Sequence, residues 1–430
     1  MAAKTLQTAA VVSIMLLAFG IAYYAGRHMA RESFIISAQD SALGGAGSVA
    51  EQNFRAYGHS VRNLDMRRWR TFAAGKAIFD HHWALRMLAP YYNARSCSAC
   101  HIHDGAGGAP GLDSSVVAEL IGPGVTVASI YRHAEAGAPP VGTWSFRWES
   151  NSDGLVRPDV RFCLAGTASS CGEAVSLRIA PPLIGLGLLN AVPDSEILAI
   201  ALLEAENNPA TAGLARRVWS PRDQRLEAGR FGWKSSSATL DDQISSSLYK
   251  EMSLTSGLSK LGPVASGCSP KVQDSLFDAL SLYCHLLAVP DRRNLGNPLA
   301  ARGAVVFRQV GCAGCHRETL VTGADKAFPE LSYQVIHPYT DLLLHNLGKG
   351  LSDSLSDGEA PAAAWRTAPL WGIGLRETVN PNARFLHDGR ARNLDDAIRW
   401  HAGQARAARR NYELLSKEDK ECLLEFLRSL

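Results

Sequence analysis

The 430-residue chain has little excess charge of either sign, with 44 Lys and Arg against 41 Asp and Glu, and the basic residues are spread along it. That removes the electrostatic footprint of a nucleic-acid partner, and none is expected. No glycine-rich phosphate loop is present, which excludes nucleotide chemistry of that kind. No repeat of solenoid period occurs either. Long apolar runs are missing too, with one exception. The stretch from Ala9 to Ala25 is apolar, preceded by Lys4 and followed by Arg27 and Arg31. A short basic region before such a run reads as an export signal. Its length is near the lower limit of about 17–25 residues for a membrane-spanning helix. Gly20 and Ala22 offer an early cleavage site, whereas Tyr23 spoils the small-x-small pattern at Ala25. The expectation is therefore a signal that remains as a membrane anchor (1–30), with a tether over 31–50 and the body in the periplasm.

What is present is enough apolar residue, 46% of the chain, to bury a substantial core, and a length that implies two or three domains. Nine cysteines suit an oxidising compartment. Four of them lie in two copies of one motif, Cys97-Ser98-Ala99-Cys100-His101 and Cys312-Ala313-Gly314-Cys315-His316. Cys-x-x-Cys-His is the attachment signature of haem c, in which two thiols a turn apart bond the haem and the adjacent His ligates its iron. A helical segment with a Gly-x-x-x-Phe spacing precedes each copy, Gly75 to Phe79 and Gly303 to Phe307. A zinc reading would need two further ligands at each site. The expected cofactors are thus two covalent haems, with Cys97, Cys100, Cys312 and Cys315 as attachment residues and His101 and His316 as iron ligands. Of the remaining cysteines, Cys163 with Cys171 and Cys268 with Cys284 are candidate disulfides, and Cys422 reads as a buried thiol.

Periodicity predicts helices over Glu51–Met87, Asp194–Glu206, Leu240–Ser253, Cys268–Leu287, Leu299–Val310, Asn393–His401 and Lys417–Leu430. Alternation with turn residues at Asn151-Ser152-Asp153-Gly154 predicts a small β-insertion over Val141–Ser176. The polar, Pro- and Gly-punctuated stretch Asp291–Pro298 marks the best domain boundary. The expected fold is mainly α, two tandem cytochrome c-like haem domains over 51–293 and 294–430, the first enlarged by insertions.

Several further stretches resemble the dihaem oxidoreductase family, often labelled "thiol oxidoreductase" and related to bacterial dihaem cytochrome c peroxidases. They are Tyr92–His101, Ala180–Gly187, Gly229–Lys234, Pro338–His345, Arg366–Gly372 and Phe385–Arg390, in the family's order from Gly75 to the C-terminus. The resemblance implies an oxidoreductase in which haem 2 passes electrons to haem 1, where peroxide or oxygen is activated. Its partners would be a small redox protein or a quinol-linked donor or acceptor, and a small-molecule substrate that is not specified. A calcium ion between the haems is also implied, although Pro182-Leu183-Ile184-Gly185 lacks the Asn used there in the peroxidases.

The sixth ligand decides whether an iron carries electrons or binds an oxidant. In the stretch Asp395–Gly403 the resemblance places a ligand where the peroxidases have Met and a related quinone-forming enzyme has Tyr. Here that position is His401, and His345 and His387 are the rivals. For haem 1 no ligand stands out among His81, His82, His103 and His133. The resemblance instead sets Asp241 where the peroxidases have a distal Glu that moves a proton between peroxide oxygens; Asp242 is the neighbour, and a helix N-terminal carboxylate after Thr239 is the plainer role. Trp83, Trp233, Trp371 and Trp400 are candidates for positions between the haems. Two other readings stay open, a dihaem electron carrier without catalysis and a dihaem oxygenase.

Overall fold

The fold is organised by two helix crossings of the same construction. Helix α1 (Trp69–Asp80) crosses α4 (Asp274–His285), and α5 (Pro298–Val310) crosses α8 (Lys417–Ser429). In each, a glycine stands at the crossing: a Cβ on Gly75 would overlap the carbonyl oxygen of Ala279, and one on Gly303 the carbonyl oxygen of Cys422. Four residues on, Phe79 packs on Tyr283 and Phe307 on Phe426, both at 5.2 Å between ring centroids. Residues four apart share a helix face, so glycine and phenylalanine meet the partner together. Burying each Phe contributes about 1.5–3 kcal/mol. The Gly-x-x-x-Phe signal is thus a packing device, repeated before each cysteine motif.

The computed structural model describes residues 41–84, 88, 91–108, 116–120, 128–130, 133–134, 142–164, 175–259, 271–352 and 356–430. Residues from Asp40 to Leu430 form one compact unit, and Met1–Gln39 a separate one outside the described residues. The expected signal and anchor (1–30) lie outside the described residues. Among the described residues no helix is long and apolar enough to cross a membrane.

The other helices of seven or more residues among the described residues are α2 (Asp194–Asn207), α3 (Leu240–Met252), α6 (Leu394–Trp400) and α7 (Arg406–Glu413). Local chemistry sets their ends. Asn297 caps α5 through Leu299 N–H with Pro298 in the first turn, and Gly311 ends it at φ +97° just before Cys312. Thr239 and Asp242 form a reciprocal capping box on α3.

Strands are short apart from one hairpin. β1 (Val116–Leu120) pairs antiparallel with β2 (Ala128–Ile130) and β5 (Val175–Ile179). β3 (Gly142–Ser150) and β4 (Val156–Leu164) form the nine-residue hairpin, turned at Gly154 with φ +73°. β6 (Arg217–Ser220) pairs with β7 (Arg225–Ala228), and β8 (Leu344–Asn346) with β9 (Ala364–Arg366). The protein is helix-rich with small sheets, and its β-insertion begins earlier than the alternation suggested.

Three expectations need correction. The helix foreseen over Glu51–Met87 is confined to Trp69–Asp80, because the segment before it is made of turns closed by short-range bonds such as Arg67 N–H to Asp65 Oδ1 (2.9 Å). The tether foreseen over 31–50 does not extend past residue 40: Leu43 is 1% exposed and Val49 N–H donates to Val289 O at 3.1 Å. Cys284 is a free buried thiol rather than half of a disulfide, since it sits on the inward face of α4 within the core. Cys422 is a free buried thiol as expected, and Cys163 is disulfide-bonded. Cys171 and Cys268 lie outside the described residues.

Candidate functional site

Both Cys-x-x-Cys-His motifs open into one cavity of about 730 Å³, lined by Cys97, Cys100, His101, Cys312, Cys315 and His316 among others. Each motif starts with a single 3₁₀ turn, Cys97–Ala99 and Cys312–Gly314, which brings both sulfurs and the His to one side. Burial pushes the Cys97 and Cys312 thiols up to about 12. A redox dithiol needs the opposite, a depressed thiol pKa, so the "thiol" label gains no support.

His316 directs Nδ1 at the carbonyl of Tyr339 (2.9 Å), and His401 directs Nδ1 at the carbonyl of Ala397 (2.7 Å). A carbonyl only accepts, so both Nδ1 atoms carry the proton and both Nε2 atoms are left as lone-pair donors, the tautomer of a metal ligand. The two rings stand 6.5 Å apart between centroids. Metal–imidazole bonds of about 2.0–2.1 Å on either side of one ion would place the centroids about 6.3 Å apart. Burial lowers the pKa of both, His316 to about 4, with the neighbouring imidazole adding to the effect at His316. Both are therefore neutral at ordinary pH, as ligation requires. α6 positions His401 at its C-terminal cap, and Asn393 fixes the other end by accepting from Asp396 N–H (2.8 Å).

His101 is half-buried, and desolvation lowers its pKa to about 4. The carbonyl of Pro181 faces it and partly offsets that effect, although Nδ1 makes no hydrogen bond of ordinary geometry. Phe79 lies 6.3 Å from its ring, as Phe307 lies 6.5 Å from that of His316. The histidines near it in sequence do not reach across: His81, His82 and His103 are exposed. The backbone of His133 pairs with Tyr92, and its side chain lies outside the described residues.

The rivals of His401 are otherwise engaged. His345 is 2% exposed, with Nε2 on Asp341 Oδ2 (2.8 Å) and Nδ1 on Thr211 O (3.1 Å), which leaves no nitrogen for iron. Burial works against its charge, but the Asp341 carboxylate outweighs burial and raises its pKa. His387 stacks on Trp365 at 3.6 Å. Cys315, Asp341 and His345 are the one group of three potential metal-binding side chains among the described residues. His345 ties the group together, with Nε2 on Asp341 and Nδ1 on Thr211 O.

Asp241 is not where the resemblance set it. Its Oδ1 accepts from Ser281 Oγ (2.5 Å), its Oδ2 pairs with Arg222 (3.4 Å), and it does not line the cavity. The reason is helical period. Leu240, Gln243, Ile244, Ser247 and Leu248 face the cavity at spacings of three and four, which turns Asp241 towards α4. Asp242 is spent on the capping box and on Ser220 Oγ (2.7 Å). Of the three α3 carboxylates the cavity-lining one is Glu251, which holds Asn93 Nδ2 at 2.8 Å beside the first motif. The sequence signal for it was weak: Glu251 stands on the cavity face of α3 at four residues from Ser247.

Of the four tryptophans singled out, Trp233 and Trp371 line the cavity and Trp83 and Trp400 do not. Trp365, which had no signal in the sequence, lines it with Lys234 Nζ 3.8 Å above its ring. Arg366 and Arg376 line it as well, the first buried and the second half-buried. Burial lowers the pKa of both, that of Arg366 to about 10. Arg376 donates Nη2 to Arg384 O (2.8 Å) and has no carboxylate partner among the described residues. Buried charges are ordinarily paired, so this wall calls for anionic groups in the cavity. Haem propionates are such groups, and Arg366, Arg376, the two attachment motifs and the His316–His401 gap together fit haem.

A helix-rich fold around these features defines a dihaem redox protein. A family profile described as "Di-haem oxidoreductase, putative peroxidase" matches residues 172–430, and the chain belongs to that family. The second motif lies within the matched stretch and the first precedes it. No curated protein matches the chain. Among solved structures, hydrazine synthase of Kuenenia stuttgartiensis, pressurized with 20 bar xenon, is similar over 84% of this chain and 87% of that one, at 15% identity and a TM-score of 0.39.

Proposed function

We propose that this chain is an exported, periplasmic, peroxidase-like dihaem oxidoreductase, anchored by its N-terminal segment, with a haem covalently held at each Cys-x-x-Cys-His motif in two cytochrome c-like halves. When bound, the haems supply two redox irons, one for electron transfer and one for reaction with peroxide or oxygen. The observation that carries this reading is the asymmetry between the motifs. His401 faces His316 at ligation distance, while the histidines near His101 in sequence are exposed. Bis-imidazole ligation suits electron transfer, and an open position suits oxidant binding.

The chain's own residues have distinct tasks. His316 and His401 hold neutral imidazoles through backbone carbonyls. Arg366 and Arg376 balance anionic groups in the cavity. Gln243, whose Nε2 donates to Ser247 Oγ (3.1 Å), presents a group that hydrogen-bonds without titrating. Glu251 holds and returns the proton that oxygen–oxygen cleavage needs. Overall, peroxide takes two electrons and two protons and leaves as two waters.

The test is to mix the fully reduced holoprotein with hydrogen peroxide without air. One equivalent should oxidise both haems rapidly. Reduced haems that persist for minutes with excess peroxide would remove the peroxidase-like reading.

A further inference from the structure

Helix α7 is clamped onto the loop that carries the second motif. Asn411 Nδ2 donates to Val310 O at 3.2 Å, and Ala408 Cβ lies 3.8 Å from where a Cβ on Gly311 would stand. Gly311 immediately precedes Cys312. Ala407, Ala408, Arg409 and Asn411 line the mouth of the cavity there. Another line of α7 faces solvent. Arg406, Arg410 and Leu414 follow one another at intervals of four, so they form one stripe, and all three are exposed, Leu414 to 76%. Three neighbouring cations are paired: Arg409 with Glu413 (3.5 Å), Arg399 with Asp395 (3.8 Å) and Arg308 with Glu318 (2.6 Å). Arg406 and Arg410 form no ion pair among the described residues. Two uncompensated guanidinium groups and a bare leucine therefore stand one helix width from the second motif.

From this we infer that the Arg406–Arg410–Leu414 stripe is the docking surface of an acidic, one-electron carrier protein that supplies haem 2. The inference rests on the functional reading above, because it needs the second motif to hold the electron-transferring haem. Charge and position favour this occupant. A transient redox contact is small, and it uses a few rim charges to raise the encounter rate around a modest apolar centre. Arg406 and Arg410 provide the rim and Leu414 the centre. In each encounter one electron leaves the partner's metal centre, which is oxidised by one unit, and reduces the second site by one unit. No bond forms and no proton needs to move.

The test uses the oxidised holoprotein and a reduced plant-type [2Fe–2S] ferredoxin, an acidic donor of low potential. Stopped-flow absorbance without air gives the second-order rate at low and high salt. A neutral reductant, photoreduced lumiflavin, reports whether the haems of each variant are intact. Steering by surface charge changes association by about 10–10³-fold and is screened by salt. The parent rate should fall at least about tenfold between low and high salt. The Arg406→Glu/Arg410→Glu double variant should start about tenfold or more below the parent at low salt and show no such fall. Arg406→Gln/Arg410→Gln should lie between them, and lumiflavin should reduce all three proteins alike.

Equal ferredoxin rates in parent and double variant, at both salts, would overturn the docking surface. So would a loss of self-association or of binding to anionic vesicles in the double variant with ferredoxin reduction untouched, since the stripe would then serve another occupant. Failure of the underlying functional reading looks different: the parent itself would lack a low-spin bis-imidazole haem that lumiflavin reduces.

Discussion

Replacing Gly303 by Ala probes the crossing that sets the second motif in place. The added Cβ overlaps the carbonyl oxygen of Cys422 and presses on the Phe426 side chain. Neither gives way easily, because the first is helix backbone and Phe426 is 1% exposed. Ordinary carbon contacts are about 3.5–4.0 Å, so α5 and α8 would have to part by about 1.5 Å at this point. A gap of that size costs the Phe307–Phe426 contact and its neighbours much of their dispersion energy. Overpacking of a tight core costs typically about 1–3 kcal/mol, and this site belongs at the upper end. At about 2–4 °C per kcal/mol, the melting temperature should drop by roughly 5–10 °C. Gly296→Ala is the control, since a Cβ there meets nothing within 4 Å and the residue does not line the cavity. Thermal melts followed at the Soret band and by far-UV circular dichroism read both variants. If Gly303→Ala melts with Gly296→Ala, the crossing is not the tight contact inferred from the geometry.

Glu251→Gln should slow reaction with peroxide by about 10²–10⁴-fold, the usual range for lost acid–base assistance, while Asp241→Asn leaves it near normal; stopped-flow rates with the slow variant reversed would return the role to Asp241. Mass spectrometry of the denatured protein should find two haems still attached, and one fewer in Cys97→Ala or Cys315→Ala. Arg376→Met should lower the midpoint potential of one haem and leave the other in place, read by spectroelectrochemistry, because a cation has been removed from one side of the cavity. His285 is buried against Phe328, and burial lowers its pKa. A depressed folded value means stability that is present above the ordinary histidine pKa of about 6.5 and lost as pH falls towards the folded value. Denaturant midpoints should therefore decline from pH 7 to pH 5, and less so in His285→Phe.

The legible parts of this protein were those where local chemistry decides. Helices α2, α3, α5, α6 and α8 match their periodic segments within a residue or two, because caps such as Thr239, Asn297, Asn393 and Ser416 stop them at fixed points. His401 was reached through a resemblance, and the structure sets its ring 6.5 Å from that of His316. Asp241 shows where this kind of reading runs out. Alignment can place an acid within one or two residues, but a helix turns by about 100° per residue. An error that small moves a side chain from the cavity to the far face. Trp365 and Arg376 gave no signal, and Arg366 only a place in a resembling stretch, because the cavity wall is assembled from loops and short strands distant in sequence. The turns before α1 were misread as helix because their apolar residues, Ala56 and Tyr57 among them, are buried by tertiary packing rather than by a helical face.

In the proposed function one iron is closed by two imidazoles and the other is open to an oxidant. Low-temperature electron paramagnetic resonance of the ferric holoprotein measures this directly. Equal amounts of a low-spin bis-imidazole signal and a high-spin signal are expected, with His401→Ala converting the low-spin one to high spin. Two low-spin signals, or a low-spin signal that survives His401→Ala, would contradict it.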